Sequence, residues 1–145
     1  MRAGMRSSPM AIDAALGGLF VLAFLSATVL PGTSELTLAA LVVHDPSRLI
    51  PAIAVATLGN TLGGLTSYAI GRLLPRPATR TRALTLAERH GVAALLFSWV
   101  PIIGDALCVA SGWLRHELRA AAGFMAVGKL ARYIVVAYAT HAFAA

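Results

Sequence analysis

The sequence contains little charge and a single cysteine. Charged residues make up 12% of its 145 residues, whereas soluble globular domains contain about 25%. Together with 58% hydrophobic residues, this shortage excludes a disordered chain and argues against an ordinary water-soluble core. Cys108 has no second cysteine with which to form an internal disulfide, so we interpret it as a small apolar packing residue.

The chain has instead three long stretches that are nearly free of charge. Residues 49–71 contain no formal charge, residues 11–43 contain two acids and no base, and residues 120–145 contain two bases and no acid. A membrane-spanning helix needs about 20 consecutive apolar residues. The sequence therefore predicts an all-α membrane protein that passes through the bilayer several times.

Most of the basic residues are arginines that flank these stretches, and the formal net charge is +6. We interpret them as residues that set topology and contact lipid phosphates, and we expect no nucleic-acid partner. Residues 72–89 hold one acid, Glu88, among five arginines: Arg72, Arg76, Arg80, Arg82 and Arg89. The positive-inside rule places this region in the cytoplasm. The side of the N-terminus and the number of full spans stay open.

Two short segments share an unusual arrangement of residues. Residues 30–35 read LPGTSE and residues 100–105 read VPIIGD, so each has a proline, then a glycine, and an acid four residues after the proline. The residues concerned are Pro31, Gly32 and Glu35 in the first segment, and Pro101, Gly104 and Asp105 in the second. Further along come two matching pairs of a glycine and a polar residue, Gly59-Asn60 and Gly128-Lys129.

We interpret this pattern as an internal duplication within a single membrane domain that comprises residues 1–145. Repeat 1 lies at about residues 11–73 and repeat 2 at about residues 90–143, and a basic cytoplasmic linker at about residues 74–89 joins them.

The segment between each acid and the next polar turn is too short to cross a bilayer. It has nine residues from Glu35 to Val43 and ten from Asp105 to Leu114. At about 1.5 Å per residue such helices reach about 15 Å, half the thickness of the hydrocarbon core. We therefore predict two re-entrant hairpins, broken at the prolines and glycines, that meet near the middle of the membrane as in many secondary transporters.

The two acids are the leading candidates for a functional site. An ionised carboxylate in the membrane interior costs a few kcal/mol, so Glu35 and Asp105 each require a reason to be there. If the hairpins meet, like charges come together and one carboxylate is favoured to hold a proton, which is what proton coupling requires. The alternative is that each acid caps the short helix that follows it.

Four further residues are candidates to interact with these acids or with a substrate. Lys129 and Arg132 are three residues apart and share a helix face, where they either form ion pairs or hold a lipid phosphate. Arg72 either extends its charge to the membrane surface or contacts a headgroup. Asn60 either forms a hydrogen bond between helices or lines a cavity.

The sequence offers little support for other chemistry. It contains no GxSxG, HExxH, phosphate-binding loop or dinucleotide-binding motif, so we expect no enzymatic activity and no cofactor. The four histidines have no metal-ligand spacing, and we expect no metal site.

Four motifs identify a family resemblance that extends from about residue 20 to residue 138. They are FLSATVLPGTSE, ATLGNTLGGLTSYAIGR, SWVPIIGDALCVASGWLR and GKLARY, at residues 24–35, 56–72, 98–115 and 128–133. They closely resemble the small YqaA-like branch of the DedA superfamily, which comprises bacterial inner-membrane proteins with the VTT (SNARE-associated) domain. The resemblance implies paired re-entrant loops, an inner-membrane location, and proton-linked movement of lipids between leaflets, with Glu35 matching a family acid.

The chain also departs from the larger DedA proteins. Those proteins are similar at the first break but have another acid upstream, whereas residues 14–30 contain none. They also have two arginines at the positions of Ser98 and Gly104, where this chain has neither and instead has Asp105. Their lipid-phosphate chemistry therefore transfers only in part.

Two functional hypotheses follow. The first is a transporter or lipid scramblase that moves a phospholipid, a polyprenyl phosphate or a small amphiphile across the inner membrane, linked to protons. The second is a membrane scaffold that maintains the envelope through partners without transport. A homodimer is an option in either case, because a chain of 145 residues encloses only a small cavity.

Overall fold

The computed structural model describes residues 8–26 and 33–144, and every regular element in these ranges is helical. Six α-helices follow one another: α1 (Pro9–Ser26), α2 (Thr33–His44), α3 (Leu49–Leu73), α4 (Arg82–His90), α5 (Ile103–Trp113) and α6 (Leu118–Ala144). Two 3₁₀ segments, Pro46–Arg48 and Gly91–Trp99, precede α3 and α5. The prediction of an all-α membrane protein is confirmed.

Three helical segments are long and apolar enough to cross a membrane: α1, α3 together with the 3₁₀ turn before it, and α6. Helices α2 and α5 have 12 and 11 residues, which corresponds to about 18 and 16 Å at the usual rise per residue. Neither is long enough to span the hydrocarbon core. Pro31 and Gly32, which were expected to break the first hairpin, lie outside the described residues.

Helices α3 and α6 run antiparallel through the centre of the molecule. Ala52 and Ala56, near the start of α3, pack in one apolar cluster with Tyr133 and Ala137 of α6. Tyr68, near the end of α3, packs in a second cluster with Ala121 and Met125 from the beginning of α6. The two long helices therefore form a frame against which the shorter elements are placed.

Helices α1 and α2 form a hairpin that opens at the starting end of α3. Ala11 and Ala15 of α1 line a pocket together with Leu41 and His44 of α2, so the outer ends of this hairpin lie side by side. At the other end the hydroxyl of Ser34 donates to that of Ser26 at 3.2 Å. Both serines are buried, so the end of α1 and the beginning of α2 lie inside the bundle.

A second hairpin, formed by α4, the 3₁₀ segment and α5, opens at the opposite end of α3. Its turn at Val100–Ile102 includes Ile102 with a positive φ of 69°. Gly104 follows at a place where a side chain would overlap the backbone of Ser98. Helix α5 ends where Gly112 lies against the carbonyl of Tyr68, close to the end of α3. The depth of both turns in a bilayer, and the duplication, stay predictions.

Part of the basic linker predicted at residues 74–89 is helical. Helix α4 begins at Arg82, and its Ala83, Leu84 and Ala87 are buried, whereas its charged residues are exposed. The hydroxyl of Thr81 caps it by accepting from the backbone N–H of Leu84 at 3.2 Å. This amphipathic helix packs against α5, so it belongs to the second hairpin.

Candidate functional site

Lys129 is buried in the middle of the bundle and bonded to Asn60. Its side chain is 2% exposed, and its ammonium donates to the side-chain oxygen of Asn60 on α3. The amide nitrogen of Asn60 donates in turn to the carbonyl of Ala23 on α1 at 3.1 Å. Asn60 and Lys129 are the polar members of the two matching pairs, Gly59-Asn60 and Gly128-Lys129. They thus contact each other between the long helices.

The glycine before each of these polar residues allows another part of the backbone to approach. A Cβ on Gly59 would lie 2.6 Å from the carbonyl oxygen of Phe20 in α1, and one on Gly128 would lie 2.7 Å from that of Leu96 in the 3₁₀ segment. Real Cβ atoms do not approach so closely. Helix α1 therefore crosses α3 beside Asn60, and the 3₁₀ segment crosses α6 beside Lys129.

Glu35 forms an ion pair with Arg132. Glu35 lies in the first turn of α2 and Arg132 lies one turn after Lys129 on α6. Their side chains are 18% and 19% exposed, so the pair is largely desolvated. The N-terminal end of a helix also favours a negative charge, which adds to the stabilisation of Glu35. The guanidinium of Arg132, rather than a helix cap, is the partner that the structure shows for this acid.

A chain of hydroxyl groups lies next to this ion pair. The Tyr133 hydroxyl and the Ser34 hydroxyl are 2.8 Å apart, and Ser34 donates to Ser26. All three side chains are buried. Tyr133 was not among the residues predicted for the site. Its position in the sequence could have indicated a place in the site, because it directly follows Arg132 and lies four residues after Lys129 on the same side of α6.

Asp105 occupies the corresponding position of the second hairpin. It is the third residue of α5, as Glu35 is the third residue of α2, and it is partly buried. Its electrostatic interactions are with Lys129 and Arg132. It forms no ion pair within 4.0 Å among residues 8–26 and 33–144. Asp105 therefore completes a cluster of two acids and two cations whose formal charges cancel.

Arg132 of this cluster lines a pocket at the lateral surface of the bundle. A pocket of about 400 Å³ lies between the tip of the second hairpin and α6. Its lining residues are Trp99, Pro101, Ala131, Arg132, Val135 and Val136. Trp99 and Val135 are 46% and 67% exposed. Because α6 is an apolar spanning helix, this opening faces the lipid, and Arg132 is the charged group in its lining.

The structure thus brings together five of the residues proposed from the sequence: Glu35, Asn60, Asp105, Lys129 and Arg132. Pro101 lies at the tip of the second hairpin and lines the lateral pocket, and Gly104 follows at the tight turn. Arg72 is not part of the cluster. It lies at the end of α3, exposed, where its guanidinium donates to the Tyr68 hydroxyl at 2.7 Å.

The apolar helices and the charged centre define a class, that of multi-pass α-helical membrane proteins with ionisable groups in the interior of the bundle. Within this class, the chain belongs to the YqaA family of bacterial inner-membrane proteins. It is 41% identical over 128 residues to the protein named Inner membrane protein YqaA of Escherichia coli (strain K12), covering 86% of this chain and 90% of that protein. The protein of the same name in Shigella flexneri matches to the same extent.

A Haemophilus influenzae protein that bears the name "Uncharacterized protein" is 38% identical over 136 residues, which covers 86% of this chain and 87% of that protein. No family model and no solved structure matches the chain. The relatives confirm the YqaA-like resemblance and the inner-membrane location that the motifs implied.

Proposed function

We propose that this protein moves a phosphate-bearing amphiphile, such as a phospholipid or a polyprenyl phosphate, between the leaflets of the inner membrane in a step linked to protons. The observation that carries the proposal is the neutral cluster of Glu35, Asp105, Lys129 and Arg132, which lies between two opposed hairpins and whose Arg132 lines a lateral pocket. Ionisable residues inside a bundle of membrane-spanning helices are typical of substrate and proton pathways. The resemblance to the DedA superfamily supports the same interpretation.

The contacts of the cluster suggest how a headgroup is received. Arg132 is the cation that lines the lateral pocket, and its guanidinium suits the bidentate binding of a phosphate. A phosphate that binds there competes with Glu35 for the charge of the Arg132 guanidinium. An added negative charge leaves the cluster one charge from neutrality, and a proton taken up by Glu35 or Asp105 restores it. Charge balance therefore links the movement of the headgroup to the uptake of a proton by the cluster.

The first experiment measures transbilayer movement of labelled phosphatidylethanolamine and of a polyprenyl phosphate in liposomes that contain the purified protein, at two pH values. We expect movement above that in empty liposomes and a rate that changes with pH. Glu35→Gln should reduce the rate to the background, because the variant can no longer take up a proton at this position.

Two further variants make the result specific. Asp13→Asn is the matched control, because Asp13 is an exposed acid on α1 far from the cluster, and it should move lipid at the normal rate. The double variant Glu35→Gln/Arg132→Gln removes both members of the ion pair and should remain folded but inactive. Normal transport by folded Glu35→Gln would contradict the proposal. Absence of movement of either lipid by folded wild-type protein would favour the scaffold hypothesis.

A further inference from the structure

A second cavity lies far from the charged cluster, at the end of the molecule where α3 ends and α6 begins. Its volume is about 690 Å³. Arg72 and Tyr68 of α3 line one side, and Arg115 and His116 of the loop between α5 and α6 line the other. Lys129 lies 11 residues beyond the start of α6, which places the cluster about 16 Å away along the helix axis.

The polar side of this cavity is held in place by a chain of hydrogen bonds. Arg72 donates to the Tyr68 hydroxyl at 2.7 Å, and that hydroxyl donates to the backbone carbonyl of His116. The His116 ring nitrogen Nδ1 lies 2.8 Å from the Ser111 hydroxyl. The loop that carries Arg115 is therefore fixed to the end of α3, although the two arginines are separated by 43 positions in the sequence.

The backbone of Arg115 has a positive φ of 54°, a conformation that residues other than glycine rarely adopt. Arg115 is the residue that ends α5: the backbone N–H of His116 donates to the carbonyl of Ser111 at 3.2 Å, a hydrogen bond that commonly closes a helix through one left-handed residue. Here the conformation places Arg115 in the lining of the cavity opposite Arg72.

The charges of the cavity favour an anion. Two guanidinium groups line it against one carboxylate, Glu117, which is exposed. Burial lowers the pKa of His116 below its usual value, so its ring is neutral at neutral pH and the two arginines supply the positive charge. Arg115 has no side-chain partner within the described part of the chain, and Arg72 uses its guanidinium for a single hydrogen bond to Tyr68.

The remaining wall of the cavity is apolar and continues along the outside of a spanning helix. Leu65, Ala69 and Leu73 of α3 lie on one side of the helix at spacings of four residues, and all three line the cavity. Leu73 is 85% exposed. A ligand that fits both the basic side and the apolar wall of the cavity has an anionic group and a hydrocarbon chain. Basic pockets at the cytoplasmic ends of spanning helices are typical sites for anionic lipid headgroups.

We propose that this cavity is a binding site for an anionic phospholipid, whose headgroup phosphate contacts Arg72 and Arg115 and whose acyl chain lies along Leu65, Ala69 and Leu73. The site is independent of the proposed translocation. It requires only equilibrium binding at one membrane surface, and it fastens the base of the second hairpin to α3.

The test compares the binding of phosphatidylglycerol, phosphatidylcholine and inorganic phosphate to the full-length protein in detergent, by native mass spectrometry and by the shift in melting temperature. Ligand binding to the folded state raises that temperature. We expect stabilisation by phosphatidylglycerol only. Arg115→Gln should weaken binding about fivefold, which corresponds to the usual contribution of one basic residue near anionic lipid. Arg115→Lys should recover part of the loss.

Arg119→Gln is the matched control, since Arg119 is an exposed arginine at the same end of the molecule but is not in the cavity lining. It should bind phosphatidylglycerol normally. Equal binding of phosphatidylcholine, or an equal loss in Arg119→Gln, would overturn the proposal. Stabilisation by inorganic phosphate that depends on Arg115, without an effect of the lipid, would also overturn it in favour of a soluble anion.

Discussion

Arg132 and Glu35 connect the first hairpin to the last helix through a pair of charges that are both largely removed from solvent. Desolvation of two charges costs more than a simple ion pair returns in many proteins, so such pairs are weak evidence for stability alone. Removal of one partner is more costly, because it leaves the other charge without compensation. The ion pair therefore constrains what substitutions are tolerated at either position.

We expect Arg132→Gln to lower the free energy of unfolding by about 3 kcal/mol, because Glu35 remains desolvated and unpaired. The double variant Glu35→Gln/Arg132→Gln should lose less than the sum of the two single variants, with a coupling energy of about 1–3 kcal/mol. Denaturant unfolding in mixed micelles measures all four members of the cycle. Strict additivity would show that the two side chains do not interact in the folded protein.

Two glycines at the crossing of α3 and α5 hold the second hairpin against the frame. A side chain on Gly71 would overlap the backbone of Val109, and one on Gly112 would overlap the carbonyl of Tyr68. In each of the two helices, a glycine thus packs directly against the backbone of the other helix. Because the obstructing atoms are backbone atoms, the contact cannot adjust by rotation of a side chain.

Gly112→Ala should therefore separate α5 from α3 and destabilise the protein by about 2 kcal/mol, the scale of overpacking in a closely packed core. Gly123→Ala on α6 is the control, because no atom lies within 4 Å of its added methyl group. That substitution should stabilise the helix by about 0.5–1 kcal/mol. Melting temperatures in the same detergent compare the two. Equal effects would indicate that the helices are not in close contact at Gly112.

The sequence is sufficient to locate the short helices but not their partners. Helices α2 and α5 each begin two residues after a proline, at Thr33 and Ile103, and their limited length follows from the polar turns. The spacing of Lys129 and Arg132 indicates a shared face. Which acid each cation meets depends on how α2 and α5 cross α6, and no local pattern encodes that geometry. Likewise, Ser34 and Tyr133 are 99 positions apart and meet only through the fold.

At the scale of the whole molecule, the two hairpins open at opposite ends of the α3–α6 frame. The outer end of the first lies beside the turn at Asp45, and the outer end of the second lies beside Arg72. If the basic linker is cytoplasmic, the beginning of α1 and the turn at Asp45 face the periplasm. The distribution of arginines leaves the side of the N-terminus open. The fold places the beginning of α1 on the side of the membrane opposite to the linker.

Accessible cysteines test this arrangement. We expect an impermeant thiol reagent to label Ser47→Cys in intact cells, and to label Thr79→Cys and Glu117→Cys only in inverted vesicles. The native Cys108 is fully buried and should not react in either preparation. Labelling of Glu117→Cys from the same side as Ser47→Cys would show that α5 crosses the membrane, contrary to the hairpin.

The 3₁₀ segment Gly91–Trp99 extends the first arm of the second hairpin. Nine residues is long for a 3₁₀ helix, and each residue in it advances the chain by about 2.0 Å instead of the 1.5 Å of an α-helix. An α-helix of the same nine residues would be about 4.5 Å shorter. The 3₁₀ winding therefore sets how far the tip of the second hairpin, and Asp105 just after it, lies from the end of α4.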